Sequence, residues 1–160
     1  MTDELRAPAL DPATLPAEER QPYPAPWDKA LAGKFRTVLG DALGLTQFGV
    51  GMTRLRPGAV SALRHWHTGE DEFIYIVSGE PTLVCDSGEQ QLKAGHVAGF
   101  PAGSGDGHRL ENRSGSDVVY IEVGTRAHSD RVHYTEDDLV LEKTVRLPER
   151  RFTRRDGTAY

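Results

Sequence analysis

A chain of 160 residues has room for one domain with a substantial apolar core, and a formal net charge of −5 without a long basic run argues against nucleic acid or an anionic membrane as partner. No apolar stretch approaches the roughly 18 residues of a membrane-spanning helix, and the acidic start Met1-Thr2-Asp3-Glu4 lacks the basic and apolar parts of a secretory signal. The single cysteine, Cys85, excludes an internal disulfide framework and fits a reducing cytoplasm.

Residues 1–33 carry six of the ten prolines, at positions 8, 12, 16, 22, 24 and 26. Proline fixes φ and withholds a backbone donor, so this arm is expected to run extended, with Tyr23 and Trp27 able to anchor it on a folded surface. From Lys34 the texture changes to short β-prone runs punctuated by glycine. The predicted strands are Phe35 to Leu39, Leu45 to Leu55, Val60 to His67, Glu72 to Val77, Pro81 to Cys85, Gln90 to Lys93, Val97 to Phe100, His108 to Asn112 and Val118 to Val123. Gly40 to Gly44 reads as a turn, Asp86-Ser87-Gly88-Glu89 as a hairpin turn, and Asn112 to Asp117 as a longer loop. With no helix-period segment among them, these strands predict an all-β sandwich or barrel. Cys85 reads as a small buried strand residue. Beyond residue 127 the chain turns polar: Thr135-Glu136-Asp137-Asp138 predicts the cap of a short helical turn before Leu139-Val140-Leu141, and the arginine-rich run Arg146 to Arg155 reads as a solvated face. The expected organisation is an arm over 1–33, a barrel over 34–127 and a C-terminal extension over 128–160.

One stretch, His65-Trp66-His67-Thr68-Gly69-Glu70-Asp71-Glu72, carries chemistry. Side chains on a strand alternate faces, so His65 and His67 point the same way and can offer two imidazoles to one metal ion. Glu72 opens the next strand and can supply a carboxylate to the same ion, with Glu70 and Asp71 as rivals. The stretch reads His-x-His-x4-Glu-x6-Gly through Gly79, with Gly58 upstream. Further on, Gly95, Pro101 and Gly103 form Gly-x5-Pro-x-Gly, and His108 with Asn112 forms His-x3-Asn.

These two motifs, in this order, resemble those of the cupins, small double-stranded β-helix (jelly-roll) barrels. The likeness covers about residues 34 to 127, and the tail resembles that of a bacterial cupin group. The chain departs from the common pattern at two places, with six residues rather than five between Gly58 and His65, and four rather than two between Gly103 and His108. The resemblance implies one divalent transition metal (Zn, Fe, Mn or Ni) held by His65, His67, Glu72 and His108. Four protein ligands leave one or two positions open, as in a catalytic site. His96, His128 and His133 fall outside the pattern.

Strand parity extends this reading. Ser61, Leu63, Ile74, Ile76, Leu110 and Asn112 share the ligands' face if each strand is regular, which predicts a mostly apolar pocket for a small, weakly charged substrate. Arg64 and Arg109 should then face away, while Arg54 and Arg56 would turn inward if Phe48, Val50 and Met52 do. On the same parity Phe73, Tyr75 and Val77 form a second apolar face on the Glu72 strand, which predicts a homodimer unless the arm covers it. The resemblance implies a metalloenzyme acting on a small oxygen-bearing organic molecule, of isomerase, epimerase or dioxygenase type. The alternatives are a non-catalytic small-molecule or metal sensor and a sugar-phosphate isomerase.

Overall fold

The computed structural model describes residues 7–144 and 147–160, so Met1-Thr2-Asp3-Glu4 and Arg146 lie outside the described residues. The strands are β1 (Lys34–Val38), β2 (Phe48–Leu55), β3 (His65–His67), β4 (Glu72–Ser78), β5 (Thr82–Cys85), β6 (Gly88–Gln91), β7 (Val97–Phe100), β8 (Arg109–Glu111), β9 (Val118–Thr125), β10 (Ser129–Tyr134), β11 (Val140–Thr144) and β12 (Leu147–Thr153). One helical turn, α1 (Leu39–Ala42), occupies part of the expected Gly40–Gly44 turn. The strands pair as a five-stranded sheet β1-β2-β9-β4-β7, a four-stranded sheet β12-β11-β10-β3 and a three-stranded sheet β6-β5-β8. This is the all-β jelly-roll architecture expected from the sequence.

Parity decides what each sheet turns inward. On β4, Ile74 and Ile76 are buried and Phe73, Tyr75 and Val77 are exposed. On β2 the inward residues are Gly51, Thr53 and Leu55. That places Arg54 outside with Phe35, over whose ring the Arg54 and Arg56 guanidinium groups both lie at 4.8 Å. Leu55, Ile76, Leu83, Leu110, Val118 and Tyr120 belong to one core cluster. Cys85 lies in that cluster, and burial pushes its thiol pKa up.

Two expectations are corrected. The run Val60 to His67 is not one strand. Val60 makes a single bridge to Glu111, residues 61–64 bend, and regular pairing begins only at His65. Thr135 to Asp138 caps no helix; it is the bend between β10 and β11, because the following Leu139, Val140 and Leu141 are all buried and are needed by the core. Asp130, Val132 and Tyr134 are also buried in alternation with Ser129 and Arg131, a strand period that the polar composition conceals.

The arm packs on a second core cluster. Tyr23 and Leu31 join Val132, Tyr134, Leu139 and Leu141 there. The Tyr23 ring meets Tyr134 and Phe152 edge-on at 5.5 and 5.9 Å, and Trp27 Nε1 donates to Asp137 Oδ1 at 2.8 Å. The described arm therefore lies away from the outer face of β4. Because Tyr23 is 8 % exposed, Tyr23→Ala is expected to cost about 3 kcal/mol of stability. A melting temperature unchanged from wild type in that variant would show that the arm is not part of the folded core.

Candidate metal centre

Three nitrogen atoms and one carboxylate meet inside the barrel. Glu72 Oε2 lies 3.0 Å from His108 Nε2, 3.4 Å from His67 Nε2 and 3.7 Å from His65 Nε2. The ligand atoms of His65, His67 and Glu72 are all within 4.8 Å of one another. Two residues apart on β3, the two histidines share a face, as their spacing requires. His108 is brought opposite His65 by an isolated antiparallel bridge, with His108 N donating to His65 O at 2.9 Å. The extended loop before it is tied back by Gly103 N donating to His67 O at 2.8 Å.

Hydrogen bonds on the far side of two rings select which nitrogen faces the centre. His65 Nδ1–H donates to Leu63 O at 2.8 Å, and His67 Nδ1–H donates to Asp130 Oδ2 at 2.6 Å. Each ring thus presents Nε2 inward. His108 stacks flat on Phe100, with centroids 3.5 Å apart, and among the described residues its buried Nδ1 has no hydrogen-bond partner. Asp130 is the residue that the sequence reading missed; its carboxylate is fully buried, and it also accepts from Gly69 N at 2.9 Å. The rival carboxylates are used elsewhere. Glu70 pairs with Lys143 and accepts from Ala127 N, and Asp71 accepts from Ala102 N at 2.7 Å. His67, Glu70 and Asp130 also form a close group, but Lys143 Nζ lies 3.4 Å from Asp130 and already supplies its cation.

Burial and mutual charge set the protonation of the cluster. Desolvation lowers the His65 pKa to about 4, against an opposing pull from Glu72. Burial alone would raise Glu72, yet the His108 hydrogen bond and the adjacent imidazoles bring it down to about 2. Burial likewise opposes ionisation of Asp130, and the His67 and Gly69 hydrogen bonds overcome it, holding the carboxyl below the usual range. A neutral imidazole beside an ionised carboxylate, as at His65 and Glu72, is a donor pair that a divalent transition ion takes.

The cluster opens into a cavity of about 840 Å3, of which Ser61, Ile74, Leu83, Phe100, Leu110 and Tyr120 line one part. Leu63, Ile76 and Asn112 are not among the lining residues. Leu63 packs on the second core cluster because residues 61–64 bend, and Ile76 is fully buried in the first. Asn112 is 1 % exposed, and its amide donates to Leu55 O and Ser116 O at 2.8 Å each. Nor is the cavity mostly apolar. Arg64 is absent from the lining, but Arg109, paired with Glu111 and Glu136, shares it with Lys34 and Arg36 of β1, Arg20 of the arm and Lys143 of β11, and Arg36, Arg20 and Lys143 are paired with Glu122, Glu18 and Glu70. Parity counted back from His65 could not reach them. The lining holds six basic and four acidic side chains, and three of the basic ones are ion-paired with acidic ones of the same lining.

The sequence matches the cupin domain family over residues 51–124. In fold, the chain is similar to a cupin-superfamily sugar phosphate isomerase from Silicibacter pomeroyi, with 37% identity, 96% of each chain covered and a TM-score of 0.92. A candidate sugar phosphate isomerase from Acidithiobacillus ferrooxidans is 26% identical over 79% of this chain and 80% of its own, at a TM-score of 0.70. The polyketide cyclase RemF from Streptomyces resistomycificus shares the fold at 20% identity, covering 73% and 78% of the two chains, at a TM-score of 0.60. No protein of curated function matches the sequence.

The charges have a pH consequence for the metal-free protein. His65 has a lower pKa folded than its ordinary 6.5, so the unfolded chain takes the proton first, and stability falls as pH drops from 6.5 toward about 4. Glu72 and Asp130 act in the same sense at lower pH, since their depressed values favour the fold only while they stay ionised. A loss of about 3 kcal/mol from His65 alone is expected. Denaturant midpoints that stay level from pH 7 to pH 4 would contradict it.

Proposed function

The chain belongs to the cupin superfamily, and from that premise we propose that it is a metal-dependent isomerase of a small phosphorylated sugar. In this reading one divalent transition ion is held by His65, His67, Glu72 and His108. The observation that carries it is the union, in one cavity, of that donor set with the cations Lys34, Arg36 and Arg20. A phosphate needs such cations beside the reacting carbons, which replaces the weakly charged substrate expected from parity. The 37% identity with the Silicibacter sugar phosphate isomerase supports the same class.

When bound, the ion supplies Lewis-acid polarisation of the substrate carbonyl. The chain's residues do the rest: Asp130 and Leu63 O keep His67 and His65 in the tautomer that faces inward, Ile74, Leu110 and Phe100 give the sugar carbons a wall from which water is excluded, and Lys34 and Arg20 orient the phosphate. Ser61 Oγ already accepts from Leu110 N at 2.8 Å, and its hydroxyl hydrogen is the donor we assign to a sugar oxygen. The buried thiol of Cys85 suits a reducing cytoplasm.

Metal content and ligand-induced stabilisation test this together. Wild type should carry one ion per chain and melt higher with phosphosugars than with matched sugars, by about 2.7 kcal/mol at a hundredfold excess over Kd. The double variant His65→Ala, His67→Ala should lose both properties. Stoichiometric metal in that variant, or equal stabilisation by sugar and phosphosugar, would sink the assignment. Stabilisation without turnover would instead favour the non-catalytic sensor.

We also propose a homodimer through the outer face of the five-stranded sheet. Phe73, Tyr75, Val77, Val97 and Phe48 are each 40–55% exposed there, and Tyr75 pairs with Val97 across β4 and β7. An apolar patch of this extent on a lone barrel marks an interface, and the second copy is the occupant because the described arm packs elsewhere. Light scattering at micromolar concentration should give twice the chain mass, and Tyr75→Glu should halve it. A monomeric wild type refutes the dimer.

A further inference from the structure

The inner face of the five-stranded sheet carries polar groups that the metal centre does not use. Register places Arg36, Thr53, Tyr120 and Ile76 in one row across β1, β2, β9 and β4, and Gly51, Glu122 and Ile74 in the next. Arg36 Nε is paired with Glu122, one row away. The guanidinium lies against Gly51: a Cβ there would stand 2.8 Å from both Arg36 Nε and Arg36 Nη2 and would make the side chain shift. Glu72 is opposite Gly124 on β9, so Glu122 is its diagonal neighbour on the same face, at a separation of about 7–8 Å. Both glutamates line the cavity.

Two hydroxyls complete the row. Tyr120 and Thr53 are register partners, 2 % and 0 % exposed; their two hydroxyls lie close enough to interact, but among the described residues neither makes a hydrogen bond of good geometry. An unpaired buried hydroxyl costs about 1–3 kcal/mol, which a fold does not retain for packing when phenylalanine would fill the same space. Tyr120 lines the cavity of the metal ligands. Burial, with Glu122 nearby, pushes its phenol well above the usual range, so it is a neutral donor and not a proton shuttle.

We propose that Glu122 is the carboxylate that carries the substrate's carbon-bound proton, that Arg36 is its positioning residue, and that the Tyr120 hydroxyl donates a hydrogen bond to a substrate oxygen. This rests on the isomerase reading and adds the base that it lacks, since Glu72 lies among the imidazoles and Glu70 is taken by Lys143. Glu122 removes the proton from the hydroxyl-bearing carbon of an aldose while that C–H pair becomes the C=C bond of an enediolate and the carbonyl π pair moves to oxygen. The hydroxyl proton then passes to the former carbonyl oxygen, a C=O bond forms at the second carbon, and Glu122 returns its proton to the first. One carbon is oxidised and its neighbour reduced, so no external oxidant enters.

The test uses metal-loaded full chain in heavy water with ribose 5-phosphate, glucose 6-phosphate and mannose 6-phosphate, following loss of the carbon-bound proton by NMR. Wild type should exchange that proton in at least one sugar, and Glu122→Gln should slow it about 100-fold or more with KM within a few fold and metal content intact. Arg36→Met should fall similarly and Arg36→Lys recover part of the rate. Exchange in Glu122→Gln within tenfold of wild type overturns the assignment while leaving the isomerase reading standing. Absence of exchange by wild type in all three sugars overturns that reading and this one with it. Tyr120→Phe gives a second readout that needs no substrate: its melting temperature should equal or exceed that of wild type, while exchange falls about tenfold. A melting temperature several degrees lower would give the hydroxyl a structural partner and remove it from the site.

Discussion

The hydrogen bond from His67 Nδ1 to Asp130 Oδ2, 2.6 Å long and fully buried, is the contact on which the site depends. It joins a histidine on β3 to the strand beside it, and through Gly69 N it also fixes the turn that aims Glu72. An ionised carboxylate in this position can only accept, so the imidazole must keep its proton on Nδ1 and turn Nε2 to the centre. Lys143, 3.4 Å from Asp130 and bonded to Glu70, supplies the countercharge without which a buried carboxylate would be costly. Strands β10 and β11 are therefore parts of the centre's support as much as β3 and β4 are.

The five-stranded sheet divides its two faces between different tasks. Its outer face is apolar and exposed along β4 and β7. Its inner face holds an ion pair over a glycine, a carboxylate beside three imidazoles and two buried hydroxyls that make no hydrogen bond of good geometry among the described residues. Each of these would be a defect in a core built only for stability, and their concentration around one cavity is what a functional site looks like in energetic terms. The stability comes from the two apolar clusters, one within the five- and three-stranded sheets and the other under the arm.

Much of this was legible in the residues alone. The alternation of His65 and His67, the spacing to Glu72, the two cupin motifs and the parity of Ile74 and Ile76 against Phe73, Tyr75 and Val77 all follow from a period of two, which local sequence states directly. Tyr120 and Glu122 carried a readable signal too: they share one face of a strand whose other positions are Val119, Ile121 and Val123.

What only the tertiary structure decided is what depends on neighbours distant in sequence. Asp130 lies 63 residues from His67, and nothing in the polar run around it names its partner. Parity fails where a strand is interrupted, so the bends at 61–64 moved Leu63 into the second core cluster, and the capping bonds of Asn112 put its amide to structural use. Lys34 and Arg36 reach the cavity because β1 pairs with β2 and β2 with β9, a sheet order that fixes which charges face the ligands. A side-chain period tells which residues share a face of one strand; which faces meet across the barrel is set by long-range pairing and core packing.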